Sequence, residues 1–166
     1  MRKNPRKPIR LACFDYSLQG VYFLTICANE RKALFGRVMD AGETEEPEVQ
    51  LNALGRIVER NIGIISTVYP MISVEKYVVM PNHVHLLLLV KDEYCSDSVR
   101  RDKMLIPKAI QSFKASVTRQ YKPNGGPIWQ ARYFDHVVRS DDEFLRIWQY
   151  IANNPAQWAE DCYHTP

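Results

Sequence analysis

The 166-residue chain is 46% hydrophobic and 25% charged, a composition that suits one globular domain and argues against two ordinary domains or a disordered chain. No apolar run is long enough for a membrane span or a signal segment, and the four cysteines form no C-x-x-C pair, so we expect a cytoplasmic protein with no membrane partner and no zinc knuckle. The formal net charge of +3 becomes +8 once a local acidic stretch is set aside, which is compatible with a nucleic-acid partner; that stretch comprises Asp40, Glu43, Glu45, Glu46 and Glu48.

The first ten residues are predicted to form a flexible basic arm, and residues 11–166 a single folded domain. The arm contains two prolines, which oppose regular structure, and five cations without an anion: Arg2, Lys3, Arg6, Lys7 and Arg10. Two interpretations stay open for the arm, a solvated terminus and a segment that contacts phosphate groups.

Hydrophobic periodicity predicts the first elements of the domain. Val21–Ala28 is rich in β-branched and aromatic residues and indicates a central strand. The acidic stretch from Asp40 to Glu48 indicates a surface loop. Ile72–Met80 indicates a second strand. Between the loop and this strand, apolar residues at helical spacing predict a helix that packs on a sheet: Leu54, Ile57, Val58, Ile62 and Ile65.

The second half of the chain is predicted to contain two more helices. One covers Pro107–Tyr121, where apolar residues again recur at helical spacing. Tyr133–Arg139 follows as a short strand or extended connection. Ser140 and Glu143 match a capping box, so the last helix is expected to begin near Asp141. This order predicts an α+β fold close to a ferredoxin-like (RRM-like) arrangement, with an antiparallel sheet and helices mainly on one face.

Two histidines follow a predicted turn at Pro81–Asn82. Alternate residues of a strand share a face, so His83 and His85 point the same way, while Val84 and the residues in phase with it point into a core. Each neutral imidazole offers one ring nitrogen, so the pair can chelate a divalent cation. Two histidines alone make an incomplete metal site, and the alternative is a pair of half-buried, hydrogen-bonded strand residues.

The last predicted helix carries a tyrosine outside its apolar stripe. Tyr150 lies roughly 120° from the centre of the stripe and shares a ridge with Arg146 and Asn154. Pro155 disfavours helix at Asn154, so the side-chain carbonyl there can turn towards a ligand. A phenol beside a metal-bound phosphate can act as a nucleophile, and the alternative is an interfacial tyrosine with a wet hydroxyl. The stripe, expected to be the buried face, consists of Phe144, Ile147, Trp148 and Ile151.

Three segments of the sequence, taken together, resemble a known family. They are PNHVH at 81–85, IWQARYFDHVVR at 128–139 and YIANNP at 150–155. In this order they are similar to the single-tyrosine HUH transposases, and most of all to the REP-associated tyrosine transposases, relatives of the IS200/IS605 enzymes. The similarity runs from about Val21 to Trp158, and the acidic loop matches no motif of the family.

The resemblance implies a catalytic domain over residues 11–166 and roles for four of its residues. His83 and His85 would be paired metal ligands, Tyr150 the nucleophile, and Asn154 an amide ligand one helical turn later. Enzymes of this family use Mg²⁺ or Mn²⁺, cut single-stranded DNA, keep the 5′ phosphate on the tyrosine and rejoin strands. The expected substrate is therefore single-stranded DNA at hairpin-forming palindromic repeats, bound by a monomer or homodimer. Besides the basic arm, the candidates for DNA contact are Lys114, Trp129, Arg132 and Arg139.

Two other interpretations compete with this one. The first is a non-catalytic nucleic-acid-binding module with an RRM-like sheet, in which Trp129, Tyr133 and Phe134 stack on bases. The second is a histidine-triad-type nucleotide hydrolase, which would need a third alternating histidine where the sequence has Leu87. A metal-dependent covalent adduct with DNA separates the transposase from the binding module, because a binder gives a mobility shift and no adduct.

Overall fold

A computed structural model describes residues 20–39, 47–91, 105–121 and 126–163. The predicted arm at 1–10 and most of the acidic stretch lie outside these residues. Among the described helices, none is long and apolar enough to cross a bilayer. The described strands and α-helices are β1 (Gly20–Cys27), β2 (Gly36–Met39), β3 (Glu48–Leu51), α1 (Ala53–Val68), β4 (Ile72–Val79), β5 (His83–Val90), α2 (Leu105–Tyr121), β6 (Phe134–Val138) and α3 (Asp141–Asn153).

The central sheet has four antiparallel strands in the order β4-β5-β1-β6. As predicted, β1 is a central strand, with β5 hydrogen-bonded along one edge and β6 along the other. The register sets Thr25 opposite His85 and Cys27 opposite His83. The two histidines therefore lie at one end of the sheet, on β5, which has a neighbouring strand on each side.

One face of the sheet is covered by α1 and α2. Val84, Leu86, Leu88 and Val90 all point to this face, and all are 0% exposed. The apolar stripe of α1 predicted from its spacing packs there, with Val58 and Ile62 fully buried. Because β5 alternates, His83 and His85 must point to the opposite face, where α3 contacts β4 and β5. The predicted α+β architecture, including the C-terminal helix, is confirmed.

A short hairpin, β2–β3, was not predicted. The sequence indicated only a loop from Asp40 to Glu48, whereas Glu48 lies in β3 and Met39 pairs with it across the hairpin. Each strand has four residues that alternate between exposed and half-buried, a pattern too short to stand out from a polar loop. The start of α1 approaches the chain beside this hairpin so closely that a Cβ on Gly55 would lie 2.0 Å from the backbone oxygen of Phe35.

The stripe of α3 is less buried than expected. Ile151 is 1% exposed, but Phe144, Ile147 and Trp148 are only partly buried. The reason is that α3 lies on the less covered face of the sheet and contacts it along one side. Trp148 is instead flanked by Phe144, with ring centroids 5.7 Å apart, and by the ammonium group of Lys76, 5.2 Å from the ring centroid.

Candidate active site

The two histidines of β5 form a close, buried pair. His83 and His85 are 0% and 1% exposed, and their Nε2 atoms lie 3.1 Å apart. The Pro81–Asn82 turn is tied into the sheet, since the backbone oxygen of Pro81 accepts from Phe35 and that of Asn82 accepts from Ala28. Both imidazoles are more buried than the half-buried alternative assumed, and both are hydrogen-bonded, as that alternative expects.

Asn82 fixes the tautomer of His83. Its amide nitrogen donates to the backbone oxygens of Arg31 at 3.1 Å and Tyr163 at 2.7 Å, so its carbonyl oxygen must face the imidazole. That oxygen lies 2.8 Å from His83 Nδ1 and can only accept. Nδ1 therefore carries the proton, and Nε2 of the neutral ring presents a lone pair to the site.

Thr25 holds the ring of His85. Its hydroxyl oxygen lies 2.9 Å from His85 Nδ1 and can either donate to that nitrogen or accept a hydrogen bond from it, so the contact orients the ring in either neutral tautomer. In the tautomer with the proton on Nδ1, the two Nε2 lone pairs face one another, and a cation bound between the two nitrogens would relieve their repulsion.

Both imidazoles are neutral at physiological pH. Burial lowers the pKa of His83 from 6.5 to about 4, and the nearby Asp161 carboxylate offsets only part of that effect. Burial also lowers the pKa of His85 well below 6.5, and the adjacent His83 lowers it further. Neutral imidazole is the form that binds metal ions.

The structure brings the predicted tyrosine to the histidine pair. The Tyr150 hydroxyl lies 3.3 Å from His85 Nε2, and its ring centroid lies 5.2 Å from that of His85. Phe23 on β1 packs edge-on against Tyr150 with a centroid distance of 6.1 Å, which supports the ring from the sheet. Burial, followed by the charge of Asp161, raises the pKa of Tyr150 to about 12. The phenol is therefore protonated at neutral pH.

Asn154 directly follows α3 and faces the same site. Although Pro155 was expected to disfavour helix at Asn154, the residue keeps right-handed helical backbone angles and is 1% exposed. Its amide nitrogen donates to Asp161 Oδ2 at 3.0 Å, which fixes the orientation of the carboxamide. Its Oδ1 is buried without a partner among the described residues. A buried acceptor without a donor is costly, and a cation would satisfy it.

Asp161 belongs to the site although sequence reasoning missed it. Ligand atoms of Asp161, His83 and His85 all lie within 4.8 Å of one another. The residue follows a short 3-10 helix, Trp158–Glu160, in a segment that folds back over the histidines. It has no periodic relation to Tyr150 or Asn154 that a pattern search would detect, and the three-segment resemblance ended before it.

These residues fit a divalent metal ion. The donor set comprises two imidazole nitrogens, one carboxamide oxygen without a partner among the described residues, and a nearby carboxylate. Mixed nitrogen and oxygen ligands of this kind suit divalent cations of the first transition row rather than soft metals that prefer sulfur. The chemistry of the donors, and not their number alone, indicates a metal site.

The predicted DNA-contact residues differ in how exposed their side chains are. Arg132 and Arg139 are exposed, whereas the arm lies outside the described residues. The Lys114 ammonium donates to the backbone oxygen of Gln130 at 2.8 Å and lies above the Tyr133 ring. Trp129 is 8% exposed and packs between Phe35 and Phe113, with centroid distances of 5.1 Å and 5.5 Å. Its indole therefore packs in the core and is not placed to stack on bases.

Known proteins resemble this chain in sequence and in fold. The family model described as "Transposase IS200 like" matches residues 58–154, a range that includes both histidines, Tyr150 and Asn154. An uncharacterized protein of Haemophilus influenzae is 29% identical over 170 residues, which cover 94% of this chain and 91% of that protein.

Two further matches concern REP-associated tyrosine transposases. A second H. influenzae protein, named "Putative REP-associated tyrosine transposase", is 26% identical over 85 residues, or 48% of this chain and 47% of that protein. A solved structure of a REP-associated tyrosine transposase bound to a REP hairpin superposes with a TM-score of 0.60 at 17% identity, covering 89% of this chain and 74% of that chain. At that identity the superposition supports the fold alone.

Proposed function

Because the chain belongs to the IS200-like transposase family, as its three sequence segments predicted, we propose that it is a metal-dependent transferase of single-stranded DNA that uses Tyr150 as its nucleophile. The observation that carries this proposal is the 3.3 Å distance between the Tyr150 hydroxyl and His85 Nε2, in a site that also holds His83 and Asn154. Nucleophile and metal ligands are thus adjacent, as a phosphoryl transfer requires.

In the proposed reaction the Tyr150 oxygen displaces a 3′ oxygen from phosphorus. The oxygen–phosphorus bond to tyrosine forms as the bond to the 3′ oxygen breaks, and the phenolic proton ends on the departing 3′ hydroxyl. The product is a 5′ phosphate esterified to Tyr150 and a strand with a free 3′ hydroxyl. Attack of a 3′ hydroxyl on this ester reverses the step and rejoins DNA, so no external energy source is needed.

The surrounding residues position the reactants. His83, His85 and Asn154 would hold Mg²⁺ or Mn²⁺, which when bound neutralises charge that develops on the phosphate oxygens. Ile151, buried beside Tyr150, fixes α3 against the sheet and so limits the movement of the hydroxyl. Since Tyr150 and Asn154 lie one turn apart on one helix, a shift of α3 would move both together.

The proposed substrate is single-stranded DNA that forms a hairpin. This rests on the family and on the solved relative, which is bound to a REP hairpin. Exposed Arg132 and Arg139, together with the arm at 1–10, are proposed to contact phosphates, which gives affinity without sequence information. The binding-module alternative loses two of its three stacking candidates, because Trp129 and Tyr133 are each 8% exposed.

The test compares the wild type with Tyr150→Phe on hairpin-containing single-stranded DNA and Mn²⁺, resolved on a denaturing gel. DNA labelled at its 3′ end should shift to the mass of a protein adduct, whereas DNA labelled at its 5′ end should shorten and stay free. The Phe variant should bind the same DNA in a mobility-shift assay and form no adduct, because only the phenolic oxygen has been removed.

Tyr163→Phe is the matched control. The Tyr163 ring lies 4.7 Å from the His83 ring, so it is a second tyrosine at the site. Adduct formation by Tyr150→Phe, with loss of the adduct in Tyr163→Phe, would show that the wrong nucleophile has been chosen. Binding without any adduct from the wild type would favour the non-catalytic module.

A further inference from the structure

The segment that follows α3 places a carboxylate beside the proposed metal ligands. We propose that Asp161 is an anionic ligand of the metal ion, supplied by the segment 158–163 after it folds back over the histidine pair. This inference rests on the proposed function, because it concerns the same metal. It adds to that function a ligand from outside β5 and α3, the two elements that carry the other three.

Burial of Asp161 is the first argument. Its side chain is 2% exposed, and its ion-pair partner within the described part of the chain is His83, at 3.8 Å. At that distance His83 Nε2 and Asp161 Oδ2 are not hydrogen-bonded to each other. Burying a carboxylate is unfavourable unless partners surround it. A divalent cation at the histidine pair would place a positive charge next to the Asp161 carboxylate.

The geometry of the carboxylate is the second argument. Its Oδ1 accepts from the backbone nitrogen of Tyr163 at 2.7 Å, and its Oδ2 accepts from Asn154 Nδ2 at 3.0 Å. Each oxygen has two lone pairs, so Oδ2 keeps one for a further partner. Oδ2 is also the atom that lies 3.8 Å from His83 Nε2. With one donor on each oxygen, the orientation of the carboxylate is fixed with Oδ2 towards the histidines.

The position of the segment is the third argument, because it is anchored at both sides of the metal site. The backbone oxygen of Tyr163 accepts from Asn82, the residue that orients His83. The backbone oxygen of Cys162 accepts from the Arg31 guanidinium at 3.3 Å, and that guanidinium also lies over the Tyr163 ring. Contacts with the β1–β2 and β4–β5 connections therefore hold Asp161 at the site.

The inferred ligand changes the charge of the site. His83, His85 and Asn154 are neutral, so without Asp161 the metal would be bound by neutral donors alone. One carboxylate raises the affinity for hard divalent cations, since the affinity of such sites follows the charge count of the ligands. We expect Asp161→Asn, which keeps one acceptor oxygen but loses the charge, to weaken Mn²⁺ binding about 10–100-fold.

The experiment is a calorimetric titration of the full chain with Mn²⁺, without DNA. Glu160→Gln is the matched control, since Glu160 is the exposed carboxylate next to Asp161 in the same segment. Weak binding by Asp161→Asn, with wild-type affinity in Glu160→Gln, is the expected result. Equal affinity in all three proteins would overturn the inference and leave the proposed metal site intact, whereas no binding by the wild type would count against the proposed site itself.

Asp161→Cys separates a direct ligand from a residue that only orients Asn154, and it covers the case in which Asp161→Asn does not fold. A thiolate at a ligand position favours soft Cd²⁺ over Mn²⁺, so the Mn²⁺/Cd²⁺ ratio of dissociation constants should rise at least about tenfold relative to the wild type. A positioning role would weaken both ions alike. An unchanged ratio would therefore overturn direct ligation.

Discussion

The two faces of β5 are equally buried and chemically opposite. On one face Leu86 and Val84 are 0% exposed against α1 and α2, and on the other His83 and His85 are 0% and 1% exposed under α3 and the segment 158–163. Solvent exposure does not distinguish them. The difference is that the polar face carries imidazoles and lies against Asn154, whose Oδ1 is buried without a partner among the described residues, whereas Leu86 and Val84 have no polar side-chain atoms. A buried acceptor without a donor, rather than accessibility, distinguishes the face of the proposed site.

The largest effect is expected from removing the imidazoles. His83→Ala with His85→Ala should slow adduct formation about a thousandfold or more, because metal stabilisation of a phosphoryl transfer is worth several kcal/mol. In urea denaturation, this double variant should lose less stability than the Leu86→Ala variant described next. Full adduct formation by this double variant in the presence of a chelator would show that the reaction does not depend on the histidine face.

A substitution on the apolar face should have the converse effect. Leu86→Ala leaves a cavity under α1 and α2, so the free energy of unfolding in urea should fall by about 2–5 kcal/mol. Mn²⁺ affinity, measured well below the denaturation midpoint, should stay at the wild-type value. A large loss of affinity in this variant would mean that the two faces are not independent.

Asn82 is expected to act on the metal through His83. Asn82→Ala removes the acceptor that holds the proton on Nδ1, so Mn²⁺ affinity should fall about 10–100-fold. Asn61→Ala is a suitable control, because Asn61 is also a buried asparagine, 5% exposed, but lies on α1 with partners in α1 and α2. Loss of affinity in the control, or none in Asn82→Ala, would contradict the assigned role.

The smallest effect concerns pH. The folded pKa of His83, about 4, lies below the ordinary value of 6.5, so the unfolded chain binds more protons below pH 6.5. Stability is therefore complete above pH 6.5 and is lost as the pH falls towards 4, with about 1 kcal/mol from His83 between pH 6.5 and 5.5. His85, whose pKa is also lowered, acts in the same direction.

The pH effect is measured by urea denaturation without metal, at both pH values. The variant with alanine at both histidines should lose this component of the pH dependence. A wild-type protein that is equally stable at the two pH values would show that the imidazoles titrate normally. That result would contradict the prediction of a neutral, buried pair.

Local sequence patterns were enough to predict the apolar face of β5 and part of its polar face. The alternation of β5, the stripe of α1 and the Ser140 cap, which accepts from the backbone nitrogen of Glu143, are short-range features and were confirmed. The roles of Tyr150 and Asn154 came from resemblance, since periodicity alone favoured an ordinary exposed tyrosine.

The remaining features depend on contacts between distant segments. Asp161 reaches the site only because the chain turns back after α3, and Trp129 is buried only because the strand extension at Ala28 pairs with it. Tertiary contacts of this kind leave no periodic signal in the sequence. The β2–β3 hairpin was missed for a different reason, because four-residue strands beside an acidic stretch look like a loop.

The place of β1 in the sheet bears on how the protein is made. Among the described strands β1 leaves the ribosome first, yet it pairs with β5 and β6, so at about 5–20 residues per second both of its edges stay unpaired for several seconds. Nascent chains in this interval expose strand edges that other chains can join. The order of synthesis also means that Tyr150, Asn154 and Asp161 emerge after the sheet, so an unfinished chain can contain both histidines and still lack the proposed nucleophile.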